Sequence, residues 1–365
     1  MMRIFLVSNM WPDAGSPGYG SFVKNMAGQL ESSGIAISGK ALIKGKPAGR
    51  FDKLKKYLGF YGSMLTGFFG RHDAVYVHFP NQSVPLLRLL ARMRPKLPIV
   101  INYHGEDLLY EPEGYTGKLG RMTDRFCRER ADFIIVPSEY FRRLVVERGV
   151  KDADHVAVSP SGGYNPEVFY PAERPAEDSV SNPRRIGYVG RLEPDKGIME
   201  YLEVCRRLAD AGIEFAGDIA GYGSLYDDVA RYLRDHGLED RVTLHGAVAQ
   251  SKLGELYRSM DLLIFASSRA SESLGLTGIE AMACGTPVLG TNVGGIASYV
   301  ESGVNGYLVD CRDVDAMTQR VKEHLASDAT RRSAMRQACL QTASRYRADV
   351  VGPRLAALFT ALPLS

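Results

Sequence analysis

Short apolar runs alternate with longer segments of helical period along nearly the whole chain. In the first half the runs are Ile4–Ser8, Ile35–Ile43, Ala74–His78, Pro98–Asn102, Phe133–Val136 and His155–Val158. Segments with helical spacing separate them, such as the one carrying Phe22, Met26 and Leu30. The second half repeats the grammar with Ile186–Val189, Phe215–Ala220, Val242–His245, Leu262–Ala266 and Pro287–Leu289. Runs this short and this continuously apolar suit strands buried on both faces. Alternation with helices then implies parallel sheets covered on each side. The expected fold class is α/β, with two Rossmann-like doubly wound domains. A polar, proline-rich stretch, PAERPAEDSVSNP at 171–183, reads as the linker between a domain over 1–170 and another over 184–345. Residues 346–365 are expected to form a helix returning to the first domain. Doubly wound domains bind ligands outside the carboxyl ends of their strands, so a cleft served by both sheets is expected.

Composition narrows the class without changing the fold. The chain of 365 residues is 45% hydrophobic and 24% charged, ordinary for a globular protein. No apolar run reaches the roughly 20 residues that span a bilayer, and the start, MMRIFLVSNMWPDAG, lacks a signal-peptide pattern. Five cysteines without metal-ligand spacing suggest reduced thiols and a cytoplasmic setting. Charge is placed unevenly. Residues 1–172 hold 23 Lys/Arg against 16 Asp/Glu, a net +7, while 173–365 hold 22 against 26, a net −4. The first half therefore suits an anionic partner. No nucleic-acid recognition signature accompanies it, so a membrane surface or a phosphorylated acceptor fits better than nucleic acid. Lys40, Lys44, Lys46, Arg50, Lys53, Lys55 and Lys56 cluster with only Asp52 opposing, and Leu54, Tyr57, Leu58, Tyr61, Leu65 and Phe68 follow at helical spacing. This segment suits an interfacial helix on the inner face of the cytoplasmic membrane, or a helix whose apolar stripe packs on the first sheet while its lysines reach phospholipid.

Four segments carry candidate chemistry. SESLGLTGIEAMACGTPVLG (271–290) follows a buried run and opens a helix expected over about 275–284. Gly275, Leu276 and Thr277 would offer free backbone N–H groups to a phosphate, with Glu272 just outside the helix and Glu280 just over one turn inside. A purely structural account would make Glu272 a helix cap and Glu280 a solvated residue. YVGRLEPDKGI (188–198) places Gly190 at a strand end and Arg191 and Lys196 on the loop beyond it. Two cations there suit a pyrophosphate and the charge that builds on a departing nucleoside diphosphate. IVINYHGEDLLY (99–110) puts His104 at the carboxyl end of a strand, where it could hydrogen-bond a sugar hydroxyl. DAGSPGYGSFVKN (13–25) supplies Gly15, Gly18 and Gly20, which permit close backbone approach, without the dinucleotide-binding spacing.

Taken together, GRL…DKG, the two glutamates with seven residues between them, EAMACGTPV and VGG…SGVNGYLV resemble glycosyltransferase family 4, retaining enzymes of GT-B fold. The resemblance implies that Arg191 and Lys196 hold the donor diphosphate, with Gly190 beside them. It implies that Glu272 contacts the donor sugar and Glu280 the ribose, that Leu274, Gly275, Leu276 and Thr277 bind phosphate and sugar, and that Val248 lies near the base. His104 would sit beside the donor sugar, and Gly18 or Gly20 would belong to the first-domain loop that closes on the substrates. The implied donor is a nucleotide sugar; the serine in ESLGL favours a UDP-sugar, and the net +7 of the first half favours a saccharide or polyprenyl-linked acceptor of the cell envelope. No obligatory metal or other cofactor is expected. Two departures stand out: ESLGL replaces the family's common EGFGL, and SGGYN (161–165) replaces NGVD. A non-hydrolysing sugar-nucleotide epimerase of GT-B fold, and a degenerate binding or scaffold protein, are the alternatives.

Overall fold

The computed structural model describes residues 1–172 and 183–362. Most of the expected linker falls on 173–182 and so lies outside the described residues. The chain forms two compact units, Met1–Gly163 with Ala348–Ser365, and Tyr164–Arg347. Residues 164–170, expected in the first domain, thus fold with the second. Tyr164 N donates to the Tyr346 carbonyl, holding the entry and exit of that unit together.

The first unit contains β1 (Arg3–Trp11), α1 (Ser21–Ser32), β2 (Ala36–Lys44), α2 (Arg50–Gly67), β3 (Ala74–His78), α3 (Pro80–Met93), β4 (Ile99–Asn102), α4 (Gly114–Arg130), β5 (Phe133–Val136), α5 (Glu139–Glu147) and β6 (Val156–Val158). Its sheet has the order β2-β1-β3-β4-β5-β6, and every pairing is parallel. Alternate residues of each strand enter different cores, as the period-two geometry of a strand requires. Phe5, Val7, Val75, Val77, Ile99 and Ile101 face one layer, whereas Ile4, Leu6, Ala74, Tyr76 and Val100 face the other. That second layer is completed by the last helix of the chain, α12 (Ala348–Thr360), through Leu355, Ala356 and Phe359.

The second unit runs β7 (Arg185–Val189), α6 (Ile198–Asp210), β8 (Ala216–Ala220), α7 (Tyr226–Asp235), β9 (Val242–Gly246), α8 (Gln250–Ser259), β10 (Leu262–Phe265), α9 (Leu276–Ala283), β11 (Val288–Thr291), β12 (Gly306–Val309), α10 (Val314–Leu325) and α11 (Ala329–Ser344). The order is β12-β11-β10-β7-β8-β9, again parallel. Strand order therefore reverses between β7 and β10, and in the first unit between β1 and β3. Such switch points leave a crevice at the strand carboxyl ends. β12, inside SGVNGYLV, is a strand absent from the expected set; only four residues long, it has flanking turns that mask its apolar alternation.

α2 departs from expectation in which face it buries. Phe60, Met64 and Phe68 enter the core with Tyr57 and Tyr61 packed beside them, whereas Leu54, Leu58 and Leu65, expected in the buried stripe, are exposed. The expected stripe straddles the edge of the buried face: its leucines lie about a sixth of a turn from Tyr57, Tyr61 and Phe68, and the buried face continues on the far side of those aromatics to Met64 and Phe60.

The turn from β1 to α1 depends on Gly20, which caps α1 in the left-handed conformation at φ 73°. A Cβ there would lie 2.6 Å from the Met10 carbonyl atoms, whereas one on Gly18 would meet nothing within 4 Å. Gly20→Ala should therefore cost about 2 kcal/mol or more of stability and Gly18→Ala less than about 0.5 kcal/mol, read from urea midpoints. Equal costs would remove the case for a sterically fixed turn.

Candidate functional site

In the second unit, two loops meet where the strand order reverses. One leaves β7 and carries Gly190–Gly197; the other leaves β10 and carries Ala266–Gly275. Lys196 Nζ donates to Glu272 Oε2 at 2.6 Å, and both side chains are largely buried, at 14% and 13% exposure. Ser267 Oγ lies 3.2 Å from the same carboxylate oxygen. Further ties hold the loops in register. Ser268 N donates to the Asp195 carbonyl, and Arg269 Nε pairs with Asp195 at 3.1 Å. Buried Tyr188, in β7, donates its hydroxyl to the Arg191 carbonyl at 2.8 Å. Arg191 itself is exposed, and among the described residues its guanidinium has no hydrogen-bond partner. A cation is thus held beside a carboxylate, with a second cation free to move toward an anion.

The loop after β10 delivers Leu274, which is buried, and then Gly275, the left-handed cap of α9 at φ 76°. Among the described residues no side chain caps this helix, so the first N–H groups, at Leu276 and Thr277, are open to a ligand oxygen. Tyr299 donates to the Gly275 carbonyl at 2.9 Å and pins the cap. Glu272 is not a helix cap, and Glu280 is not solvated. Glu280 is 9% exposed, and Tyr257 donates to its Oε2 at 3.4 Å. Burial raises its carboxyl to about 7, opposed by hydrogen bonds from Gln250 and Tyr257. At the ends of β7, β8 and β9 the backbone closes tightly. Gly190 N donates to the Ala220 carbonyl and Gly221 N to that of Gly246, and a Cβ on Gly221 would lie 1.8 Å from the Gly190 oxygen. Val248, just beyond, is half-buried against the core around α9.

In the first unit, His104 follows β4 and is 9% exposed. Its ring stacks on Phe79 with centroids 4.4 Å apart and touches Phe22 of α1 at 4.8 Å. His104 Nε2 and His78 Nδ1 are 2.9 Å apart, and His78 Nε2 is buried without a partner. A buried N–H without an acceptor is rarer than a bare ring nitrogen. The favoured arrangement is therefore His78 Nδ1–H donating to His104 Nε2, leaving His104 Nδ1–H as a donor. Burial lowers the His104 pKa to about 3, so the ring is neutral at physiological pH. The turn after it is clamped by Asp107, whose carboxylate accepts from the N–H groups of His104 and Gly105 at 2.8 Å each. Burial lifts Asp107 to about 7 against those same backbone hydrogen bonds. Gly18 is exposed in the loop before α1, and Gly20 is buried at its end.

Comparison with known proteins agrees with this geometry. A family of group 1 glycosyl transferases matches residues 170–341, and a glycosyl transferase 4-like domain matches 47–162. The D-inositol 3-phosphate glycosyltransferase of Mycolicibacterium smegmatis is 31% identical over 311 residues, 80% of this chain and 70% of that protein. The chain belongs to glycosyltransferase family 4. The protein of the same name from Mycobacterium sp. (strain KMS) is 28% identical over 332 residues, covering 86% of this transferase and 74% of its own length. Among solved structures, Anabaena HepE in complex with UDP is 18% identical, superposes with a TM-score of 0.76 and is covered over 100% of its chain and 99% of this one. A further HepE structure, with UDP-glucose, is 17% identical, has a TM-score of 0.73 and is covered to the same extent. Sucrose-phosphate synthase from Thermosynechococcus elongatus has a TM-score of 0.76 at 19% identity, covering 99% of this chain and 98% of its own. At such identities the likeness is one of fold, and that fold is GT-B.

In this transferase the second unit brings together Gly190, Lys196, Glu272, Leu274, Gly275, Leu276 and Thr277 around one switch point, while Glu280 lies inside the helix they open. Sequence reading passes over Tyr188, Ser267, Asp195, Arg269 and His78, and takes Asp107 only as one of the acidic pair, with Glu106, that follows His104. For Asp107 a signal exists, since an Asp three residues after a strand-end His can accept from its N–H groups. The others are brought in by strand pairing and leave no local mark.

Two measurements test this site. In a double-mutant cycle, Lys196→Met and Glu272→Gln should show a coupling of about 1–3 kcal/mol in urea unfolding, and a coupling near zero would mean the loops are not held by this pair. Glu280 binds its proton more tightly in the fold than in the unfolded chain, where it titrates at its ordinary value of 4.5. Its stabilising contribution is complete below pH 4.5 and is lost as pH rises to about 7. Glu280→Gln should remove that decline, seen as the difference between the stability–pH profiles of variant and wild type. Superimposable profiles would show that Glu280 does not titrate in this range.

Proposed function

We propose that this transferase is a retaining hexosyltransferase that moves a sugar from a UDP-sugar to a saccharide or polyprenyl-linked acceptor, in glycan or polysaccharide assembly at the inner face of the cytoplasmic membrane. The observation that carries the reading is the Lys196–Glu272 pair beside the uncapped N-terminus of α9. The helix terminus and Lys196, with Arg191 swinging in from solvent, supply positive charge for a diphosphate, and Glu272 accepts hydrogen bonds from the hydroxyls of the attached sugar. An ammonium has three N–H bonds, so Lys196 can keep one on Glu272 and turn others to phosphate oxygens. Glu280 accepts from the ribose hydroxyls. His104 offers its Nδ1–H to a sugar hydroxyl oxygen.

Catalysis would then rest on stabilising the leaving group. The bond from the anomeric carbon to the phosphate oxygen breaks, and the acceptor oxygen bonds to that carbon on the same face. The acceptor proton passes to the departing phosphate oxygen. Glu272 and Glu280 do not form the flanking acid–base pair of a glycosidase; the work falls to charges placed where negative charge develops. These cations account for the diphosphate charge without an obligatory metal. The UDP preference is supported by HepE, of like fold, having been solved with UDP and UDP-glucose. An anionic acceptor is supported by the net +7 of residues 1–172, and by relatives named for inositol 3-phosphate.

Thermal-shift screening against UDP, GDP, ADP and their sugars should give a selective stabilisation by UDP compounds, about 2.7 kcal/mol at a hundredfold excess over Kd. Lys196→Ala and Glu272→Ala should each lower turnover about a hundredfold or more while the protein stays folded. The product anomer by NMR should match the donor, and EDTA should leave turnover unchanged. No shift with any nucleotide, or near wild-type turnover in either variant, would overturn the site assignment.

A further inference from the structure

The face that α2 turns to solvent is apolar. Phe51, Leu54, Leu58 and Leu65, with Phe69 just past its end, are 91%, 59%, 64%, 46% and 50% exposed. Gly62 fills the remaining step, so the row recurs at intervals of three and four residues and forms one stripe along the helix. Phe60, Met64 and Phe68, about a third of a turn round the helix from it, are fully buried, so the exposed stripe is surplus to what holds the helix on the sheet. Isolated exposed leucines are common; five large apolar side chains in line along one solvent face are not.

Charge gives the stripe a direction. Lys44, Lys46, Arg50, Lys53 and Lys55 are all exposed around its first half. Asp52 is the only acid between residues 40 and 69, and Lys56 lies 3.5 Å from its carboxylate while Ala48 N donates to it. No helix among the described residues is long and apolar enough to cross a membrane.

We propose that α2 lies in the headgroup layer of an anionic membrane, with Phe51, Leu54, Leu58, Leu65 and Phe69 turned toward the acyl chains and the lysines on either side on phosphate groups. This rests on the reading of the acceptor as lipid-borne, and names the surface that brings the enzyme to it. An apolar stripe flanked by cations matches a surface that is itself apolar beneath an anionic layer. A second copy of this chain presents the same cations along α2 and only Asp52 against them, so it is the poorer complement.

The test is co-sedimentation of the full chain with phosphatidylcholine vesicles containing or lacking phosphatidylglycerol. Binding is expected only with the anionic lipid and should fall steeply as salt rises. Leu54→Ser with Leu58→Ser should weaken it about tenfold or more, and Lys53→Ala with Lys55→Ala about fivefold per lysine. All four side chains are exposed, so the fold should survive, which thermal unfolding checks. Phe51→Trp should show a blue-shifted emission component on anionic vesicles, over the background of the single native tryptophan, Trp11. Wild-type affinity in the serine variant, no vesicle binding, or no blue shift from the Phe51→Trp variant would each overturn the proposal. A dimer in sedimentation velocity that the serine pair dissolves, without vesicle binding, would assign the stripe to a second copy instead. UDP stabilisation and transfer to a soluble acceptor analogue should be unchanged in the serine variant, so failure here leaves the transferase reading intact. Loss of UDP binding with vesicle binding kept would remove that reading and leave this one.

Discussion

Because every strand pairing in both sheets is parallel, each strand must be followed by a return over one face of the sheet. All carboxyl ends of a sheet therefore fall on one edge, and the loops leaving them have nowhere to go but around the point where strand order reverses. The loops after β7 and β10 are neighbours for that reason alone, although Lys196 and Glu272 are 76 residues apart. Glycines make the crowding possible: Gly197, at φ 79°, caps α6 where a Cβ would sit 2.2 Å from the Ala266 oxygen.

Around that edge the protein places ionisable groups in very different surroundings. Arg191 sits in solvent, the Lys196–Glu272 pair is partly buried, and Glu280 is enclosed enough to hold a proton to about 7. In the other unit His104 is kept neutral by burial, with the rings of Phe79 and Phe22 packed against it. A neutral imidazole and an N–H-rich helix start are suited to binding uncharged hydroxyls and anionic phosphates respectively. Neither arrangement looks like a general acid paired with a nucleophile.

Much of this is legible in the sequence because parallel strands buried on both faces are nearly pure apolar runs. Ala74–His78 and Phe133–Val136 match their strands to the residue, and α9 agrees to within one residue at each end. The glycine beside a strand end and the glutamates flanking a helix start are likewise local patterns. What lies hidden depends on distance along the chain. Nothing near Glu280 announces its burial, which comes from Tyr257 on α8 and the surrounding core. Nothing near Lys196 names Glu272 as its partner. For α2 the periodicity is visible, but two apolar stripes on one helix defeat a reading that allows only one buried face.

The closing helix has a consequence for how the chain is made. Leu355, Ala356 and Phe359 of α12 cover Ile4, Leu6 and Tyr76, with the rings of Phe359 and Tyr76 only 4.9 Å apart. The first sheet is synthesised early, yet one of its faces, covered in part by α1 through Met26, Ala27 and Leu30, stays incompletely covered until residues 348–360 have emerged from the ribosome. The second unit, continuous from Tyr164 to Arg347, can close first. Throughout that interval the nascent polypeptide displays the part of an apolar sheet face that α12 will cover, the condition under which chaperone capture and aggregation compete with folding.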